Sequence, residues 1–371
     1  MSGLYIHIPF CKQACHYCDF HFSTSMRQKS SVVDALTEEM ILQKEYLPGK
    51  TLTSIYFGGG TPSLLTIDEL NQLFERIDQL FERSQGIEIT LEANPDDLTE
   101  EKLKELAQTP INRLSIGVQS FFDVDLQFMN RAHNASEAIN CIKLAQKVGF
   151  NNLTVDLIYG TPTLSNEMWL ENIMTLVNLG IPHISSYCLT VEPKTALAHF
   201  VKTGKVEAVD DTKAAHQFDM LINTLIQKGF EHYEISNFAK PGMHARHNSN
   251  YWLGVPYLGI GPSAHSFDGK NRQWNISNNV MYIKAIELGN LPFEKESLTK
   301  EERYNEYVMT GLRTHWGVNL GKLTEEQKKY FEEAARPFVE NKLMFQKEDA
   351  YLLTQAGKHQ ADRIAMELFL D

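Results

Sequence analysis

The first half of the chain repeats one unit: a short apolar run, a loop, and then a helical run of 3.6-residue periodicity. Strand-like runs fall at residues 4–8, 52–57, 87–91, 113–118, 153–158 and 183–191. Helical runs fall at about 31–46, 67–81, 99–108, 136–148 and 166–179. Thr66 is an N-cap candidate ahead of the stripe Ile67, Leu70, Leu73, Phe74, Ile77, Leu80 and Phe81. Gly149 and Gly180 follow the last two helices as helix stops. Strand-then-helix units in series imply a parallel sheet with helices outside. Their period of about 30–35 residues is that of an α/β barrel. The expected fold class is therefore α/β: a partial (β/α)6 barrel, followed by a mostly helical, winged-helix-like accessory domain. The expected divisions are 1–235 for the barrel, 236–297 for a connecting segment rich in Gly, Pro and His, and 298–371 for the accessory domain, with a strand pair near 343–353.

Active sites of such folds gather where the strands end. Three features sit at those ends. Cys11, Cys15 and Cys18 follow the first strand, Gly58-Gly59-Gly60-Thr61-Pro62 follows the second, and Glu92 closes the third. Three thiolates on one short loop surround a soft metal centre. A structural zinc site is the alternative, but it asks for four ligands, usually in Cys-x-x-Cys pairs. A four-iron cluster held by three cysteines leaves one iron open to a small molecule. The glycines let backbone approach a ligand closely, or simply make a tight turn. Glu92 suits a cationic ligand with hydroxyl groups, and is otherwise a surface carboxylate. Asp156 lies within an apolar strand and needs a partner or a ligand, with Arg131 the candidate partner. Cys141, mid-helix, reads as a core residue.

The wider string Tyr5-Ile6-His7-Ile8-Pro9-Phe10-Cys11, with Cys-x-x-x-Cys-x-aromatic-Cys, resembles the radical S-adenosylmethionine enzymes, and among them the oxygen-independent coproporphyrinogen III oxidase family. The resemblance continues through the 58–62 and 91–95 strings, Gly117-Val118-Gln119-Ser120-Phe121, Asp156-Leu157-Ile158-Tyr159-Gly160 and residues 259–265. It implies a 4Fe-4S cluster on Cys11, Cys15 and Cys18. It implies S-adenosylmethionine on Tyr5, Gly59 and Glu92. Tyr17, Gly60, Thr61, Gln119, Arg131, Asp156 and Cys188 match positions that in the oxidase contact a second S-adenosylmethionine. The chemistry implied is one-electron cleavage of the sulfonium to methionine and a 5′-deoxyadenosyl radical, in a site closed to water.

The stretch His244-Ala245-Arg246-His247-Asn248-Ser249-Asn250-Tyr251-Trp252 offers imidazoles, aromatic faces and a guanidinium. Taken alone it also fits a structural loop. Its His-Asn-x-x-Tyr-Trp core is similar to the signature of the haem chaperone branch of the family. Two departures from the oxidase point the same way. Asp19-Phe20 stands where the oxidase has a further cysteine, and only ten residues precede Cys11. Haem is then cargo, with His247, Tyr251, Trp252 and Arg246 its candidate contacts, while His265 reads as a core histidine first and as a second haem-facing residue otherwise. Decarboxylation of coproporphyrinogen III is the alternative function.

Asp plus Glu is 47 against Lys plus Arg 35, a net charge of −12, which argues against a nucleic-acid partner. The apolar runs are too short to span a bilayer. No secretory leader is evident, so a cytoplasmic location is expected, with at most peripheral membrane contact. The expected partners are haem and haem-accepting proteins, respiratory ones among them, and homodimerisation is an expectation left open.

Overall fold

The computed structural model describes residues 2–370. Six parallel strands alternate with helices: β1 (Ser2–Ile8), α1 (Lys29–Leu42), β2 (Thr51–Gly59), α2 (Ile67–Leu80), β3 (Glu82–Ala93), α3 (Glu100–Leu106), β4 (Arg113–Gln119), α4 (Asp123–Phe128), α5 (Ala135–Val148), β5 (Leu153–Tyr159), α6 (Asn166–Asn178) and β6 (His183–Cys188). Local chemistry explains the boundaries. Thr66 and Asn134 form capping boxes with Glu69 and Glu137, which satisfies orphan N–H groups at the starts of α2 and α5. Gly149 ends α5 in the left-handed region at φ +112°, where a Cβ would be strained. The last expected strand is shorter than its apolar run, stopping at Cys188.

The chain continues through α7 (Ala196–Lys202), α8 (Asp211–Gln227), β7 (Glu231–Glu234), β8 (Asn237–Ala239), α9 (Arg246–Trp252), β9 (Tyr257–Ile260), β10 (His265–Phe267), β11 (Asn271–Asn275), α10 (Asn279–Glu287) and β12 (Phe293–Ser297). Residues 236–297 are not a connector between bodies. They extend the same sheet at both edges, giving the order β12-β11-β10-β9-β1-β2-β3-β4-β5-β6-β8-β7. β9 joins β1 in parallel, and β8 joins β6 antiparallel. The barrel stays open because β1 and β6 never pair. Leu258, Ile260, Tyr282, Ile283 and Ile286 belong to the main core. That core is knit by Glu39 of α1, which is fully buried and accepts from Tyr282, Asn275 and the Gly261 N–H. His265 is exposed on β10, not in the core.

Residues from α11 (Lys300–Leu312) onward make a second core. α12 (Glu325–Glu340), α13 (Gln355–Lys358) and α14 (Ala361–Glu367) pack around a small antiparallel sheet of β13 (Val318–Asn319), β15 (Ala350–Leu353) and β14 (Met344–Lys347). This unit is tied to the β7–β8 edge of the large sheet. The Ile235 N–H donates to Arg313 O, and Lys358 Nζ lies 2.8 Å from His232 Nδ1.

The parallel strands do not read as apolar on both faces, as fully covered strands do. Leu4, Ile6 and Ile8, Ile55 and Phe57, Leu114, Ile116 and Val118, and Val155 and Leu157 are buried apolar residues. Between them alternate Tyr5 and His7, Ser54 and Tyr56, Arg113 and Ser115, and Thr154 and Asp156. With a period of two, this second set faces the barrel interior. A polar lumen of this kind is built to hold something.

Candidate cofactor site and the barrel floor

The lumen has two ends of different character. At the carboxyl ends of the strands lies a cavity of about 430 Å³, lined by all three loop cysteines together with Gly59, Gly60, Thr61, Glu92, Gln119, Arg131, Asp156, Cys188 and Tyr17. Three consecutive β–loop segments thus bring the cysteine loop, the triple glycine and Glu92 together, as the strand-end argument predicts.

The cysteine loop is pinned before any ligand arrives. The Cys11 N–H donates to Ser23 O at 3.0 Å, and the His16 N–H donates to Met129 O at 3.1 Å. Asn130 Nδ2 donates to Ala14 O at 2.8 Å. Donors also reach the sulfurs: Thr61 Oγ1 sits 3.4 Å from Cys11 Sγ, and Arg131 Nη1 sits 3.3 Å from Cys15 Sγ. Burial pushes the Cys11 thiol up and that of Cys18 to about 11, so in the absence of a metal both are held as neutral thiols. Such donors stabilise thiolate sulfur once a cluster withdraws the protons.

Glu92 is held from two sides. Tyr56 Oη donates to one carboxylate oxygen at 2.7 Å, and the Gly59 N–H donates to the other at 3.2 Å. Desolvation, opposed by the Tyr56 hydrogen bond, raises its pKa to about 7. Gly59 has φ +109°, and a Cβ there would lie 2.6 Å from the His7 ring. A Cβ on Gly60 would lie 2.6 Å from Phe10 O, so these glycines are required by the close passage of β1 and β2. Gln119 also adopts a left-handed φ, +73°, and its buried Oε1 has no partner. A strained residue aiming an orphaned acceptor at a cavity indicates a ligand contact. Asp156 is raised to about 6, chiefly by desolvation.

Two expectations change. Arg131 is not the ion-pair partner of Asp156. Its guanidinium goes to Cys15 Sγ, to Asn94 Oδ1 at 2.6 Å and to Gly117 O at 2.7 Å. Tyr5 does not line the cavity. It lies deeper in the lumen, its hydroxyl 3.1 Å from His7 Nδ1 and its ring stacked on Tyr56. Tyr56 and Asn94 are the residues the motif reading missed. The period-two alternation of β2, Ser54-Ile55-Tyr56-Phe57, is the signal that marks Tyr56 as inward.

At the opposite end, α9 closes the barrel floor. Glu88 accepts from the backbone N–H groups of Arg246 and His247, both at 2.9 Å, which fixes the helix start under the strands. His247 then points up into the lumen and is 3% exposed. Both ring nitrogens are paired, Nδ1 with Ser54 Oγ and Nε2 with Tyr251 Oη, each at 2.8 Å. Its ring stacks on Tyr56 at 5.0 Å, and burial lowers its pKa to about 3. His247, a candidate haem contact, thus has both ring nitrogens engaged by protein hydroxyls in this arrangement. Arg246 Nη1 donates to Gly86 O at 2.8 Å, tying the helix to β3. Tyr251, one turn on and hydrogen-bonded to His247 through its hydroxyl, borders with Trp252 a second cleft of about 450 Å³ between α9 and α11. Among the described residues, no helix is long and apolar enough to cross a membrane.

Comparison with known proteins agrees with this architecture. Residues 5–177 match the radical SAM superfamily, and residues 298–359 match the HemN C-terminal domain. The chain is 34% identical to the "Heme chaperone HemW" of Bacillus subtilis, covering 96% of each chain, and 32% identical to that of Lactococcus lactis, covering 100% and 98%. In fold it resembles the coproporphyrinogen III oxidase of Escherichia coli, with a TM-score of 0.85 at 22% identity, over 99% of this chain and 89% of that one. The chain therefore belongs to the radical SAM superfamily and, within it, to the family of the heme chaperone HemW proteins.

Proposed function

We propose that this chain is a haem chaperone. It binds haem, keeps a 4Fe-4S cluster and S-adenosylmethionine in the upper cavity, and delivers haem to haem-requiring proteins. The observation that supports this most is the joint arrangement of the three-cysteine loop, the Glu92 wall and the α9 floor in a chain matched end to end by heme chaperone relatives. Cys11, Cys15 and Cys18 would hold the cluster, which when bound supplies the electron for sulfonium cleavage. Everything else belongs to the chain. Glu92, oriented by Tyr56 and Gly59, accepts from ligand hydroxyls or an ammonium group. Thr61 and Arg131 donate to the ligating sulfurs. Gln119 and Asp156 offer further acceptors on the same wall, and Tyr17 and Cys188 complete the lining. Ile158 and Leu189 exclude water.

The α9 segment supplies the haem contacts on the Tyr251 and Trp252 side, with His247 fixing the helix in place. Phe20, 67% exposed at the mouth of the upper cavity, stands where the oxidase carries a cysteine. This also supports the chaperone reading over decarboxylation.

The test is titration of the purified, reconstituted protein with haemin. A saturable Soret shift is expected. Absence of any shift would overturn the reading. So would protoporphyrinogen formation on anaerobic incubation with coproporphyrinogen III, S-adenosylmethionine and a reductant.

A further inference from the structure

The lower cleft, between α9, the β9–β11 ribbon and α11, has a chemistry of its own. Aromatic rings of Trp252, Tyr257, Phe267 and Tyr307 line it, and the guanidiniums of Arg272 and Arg303 border it. In a chain of net charge −12 this is a local cationic exception. The indole Nε1 of Trp252 is buried and has no hydrogen-bond partner, a donor left open beside the cavity. Leu253, 43% exposed, adds apolar surface at the rim. One carboxylate opposes the arginines: Glu306 also lines the cleft and pairs with Arg272 at 3.0 Å. The lining contains no His, Cys or Met.

We propose that this cleft seats the porphyrin macrocycle, with Trp252 and Tyr257 against its faces and Arg272 and Arg303 taking its two carboxylates. The inference rests on the haem-carrying reading and gives it a place at the end of β1 opposite the cysteine loop, since Tyr257 pairs with Gly3 at the start of that strand. Flat aromatic walls suit a planar conjugated ligand. Two guanidiniums on one border suit a dianion, since each can meet a carboxylate bidentately. The wall holds no His, Cys or Met, and burial raises the pKa of the Tyr251, Tyr257 and Tyr307 hydroxyls so that they stay neutral phenols, poor ligands for iron; recognition therefore falls on the macrocycle and its carboxylates. Metal-free porphyrin should therefore bind about as well as haemin. Glu306 competes for Arg272, so neutralising it frees a cation for the ligand.

The experiment uses the full chain, titrated in parallel with haemin and with metal-free protoporphyrin IX, and followed by tryptophan quenching and absorbance. Arg272 and Arg303 are both solvent-exposed, so the double variant Arg272→Gln/Arg303→Gln is expected to fold, as circular dichroism will show. It should lose at least about tenfold in affinity for both ligands. Glu306→Gln should tighten both several-fold, a gain that a merely structural role would not produce. If the wild type binds haemin and the double variant binds it equally well, the cleft is not the seat, while the haem reading stands. If haemin binds and metal-free porphyrin does not, an iron ligand elsewhere decides and the proposal fails. If the wild type binds neither, the haem reading falls and this proposal with it.

Discussion

Replacing His247 separates a ligand from a structural post. The imidazole bridges Ser54 and Tyr251, both at 2.8 Å, in a floor that excludes water, and stacks on Tyr56. His247→Ala would strand two buried hydroxyls, at about 1–3 kcal/mol each. It would also remove aromatic contacts of about 0.5–1.5 kcal/mol and leave a small cavity. The expected loss is about 4 kcal/mol, a large part of a total stability of roughly 5–15 kcal/mol. His247→Gln, which can keep one of the two partners, should lose about half of that. The assay is urea unfolding followed by far-UV circular dichroism at neutral pH, where the buried ring is neutral. Haemin titration is run under conditions where the Gln variant remains folded. A His247→Ala midpoint within about 1 kcal/mol of wild type would refute the floor argument. So would a folded, near-wild-type His247→Gln variant that binds metal-free porphyrin normally but has lost haemin, because that outcome makes the imidazole an iron ligand.

Further expectations come from the same geometry. Glu92 has its pKa raised to about 7, so it is neutral below that pH and a carboxylate above it. S-adenosylmethionine affinity should accordingly fall as pH drops through 7, by up to about tenfold per pH unit, while Glu92→Gln gives a weak and flat profile. A flat wild-type profile between pH 5.5 and 8, measured by equilibrium dialysis, would refute the carboxylate's role. Tyr56→Phe removes the 2.7 Å donor but keeps the ring, so it should move that pH midpoint upward and weaken binding several-fold with little change in unfolding midpoint. Buried His7 and His133 have pKa values lowered to about 4, and His232 and His247 to about 3. Below pH 6.5 the unfolded chain takes up protons that the folded chain refuses. Stability is therefore full above 6.5 and should decline by about 1.4 kcal/mol per pH unit for each such histidine until its folded pKa is reached. Acid titration of the unfolding free energy checks this slope.

Local patterns along the chain carry a good deal of this protein. The β-then-α period, the N-cap at Thr66 and the stop at Gly149 are properties of a few neighbouring residues, and each is realised where the pattern places it. The meeting of Cys11, Cys15 and Cys18 with Gly59 and Glu92 was legible for the same reason, because parallel strands share one carboxyl end. The alternation in β1 and β2 even marks the inward set that includes Tyr56. Contacts between distant segments were not legible. Ser54 and His247 are 193 positions apart, and no local pattern of either says that one will hold the other. The motif reading put His247, Tyr251 and Trp252 on one ligand, since they are close in sequence. The helix buries His247 in the lumen with Tyr251 bridging it to the cleft, and only Tyr251 and Trp252 of the three line that cleft. Arg131 likewise pairs with Asn94 and Cys15 instead of Asp156, because packing sets which acceptor a long side chain reaches. Residues 236–297 look like linker by composition, yet they add strands beside both β1 and β6, because the unpaired edges of those strands and an open floor are demands that only the assembled barrel makes.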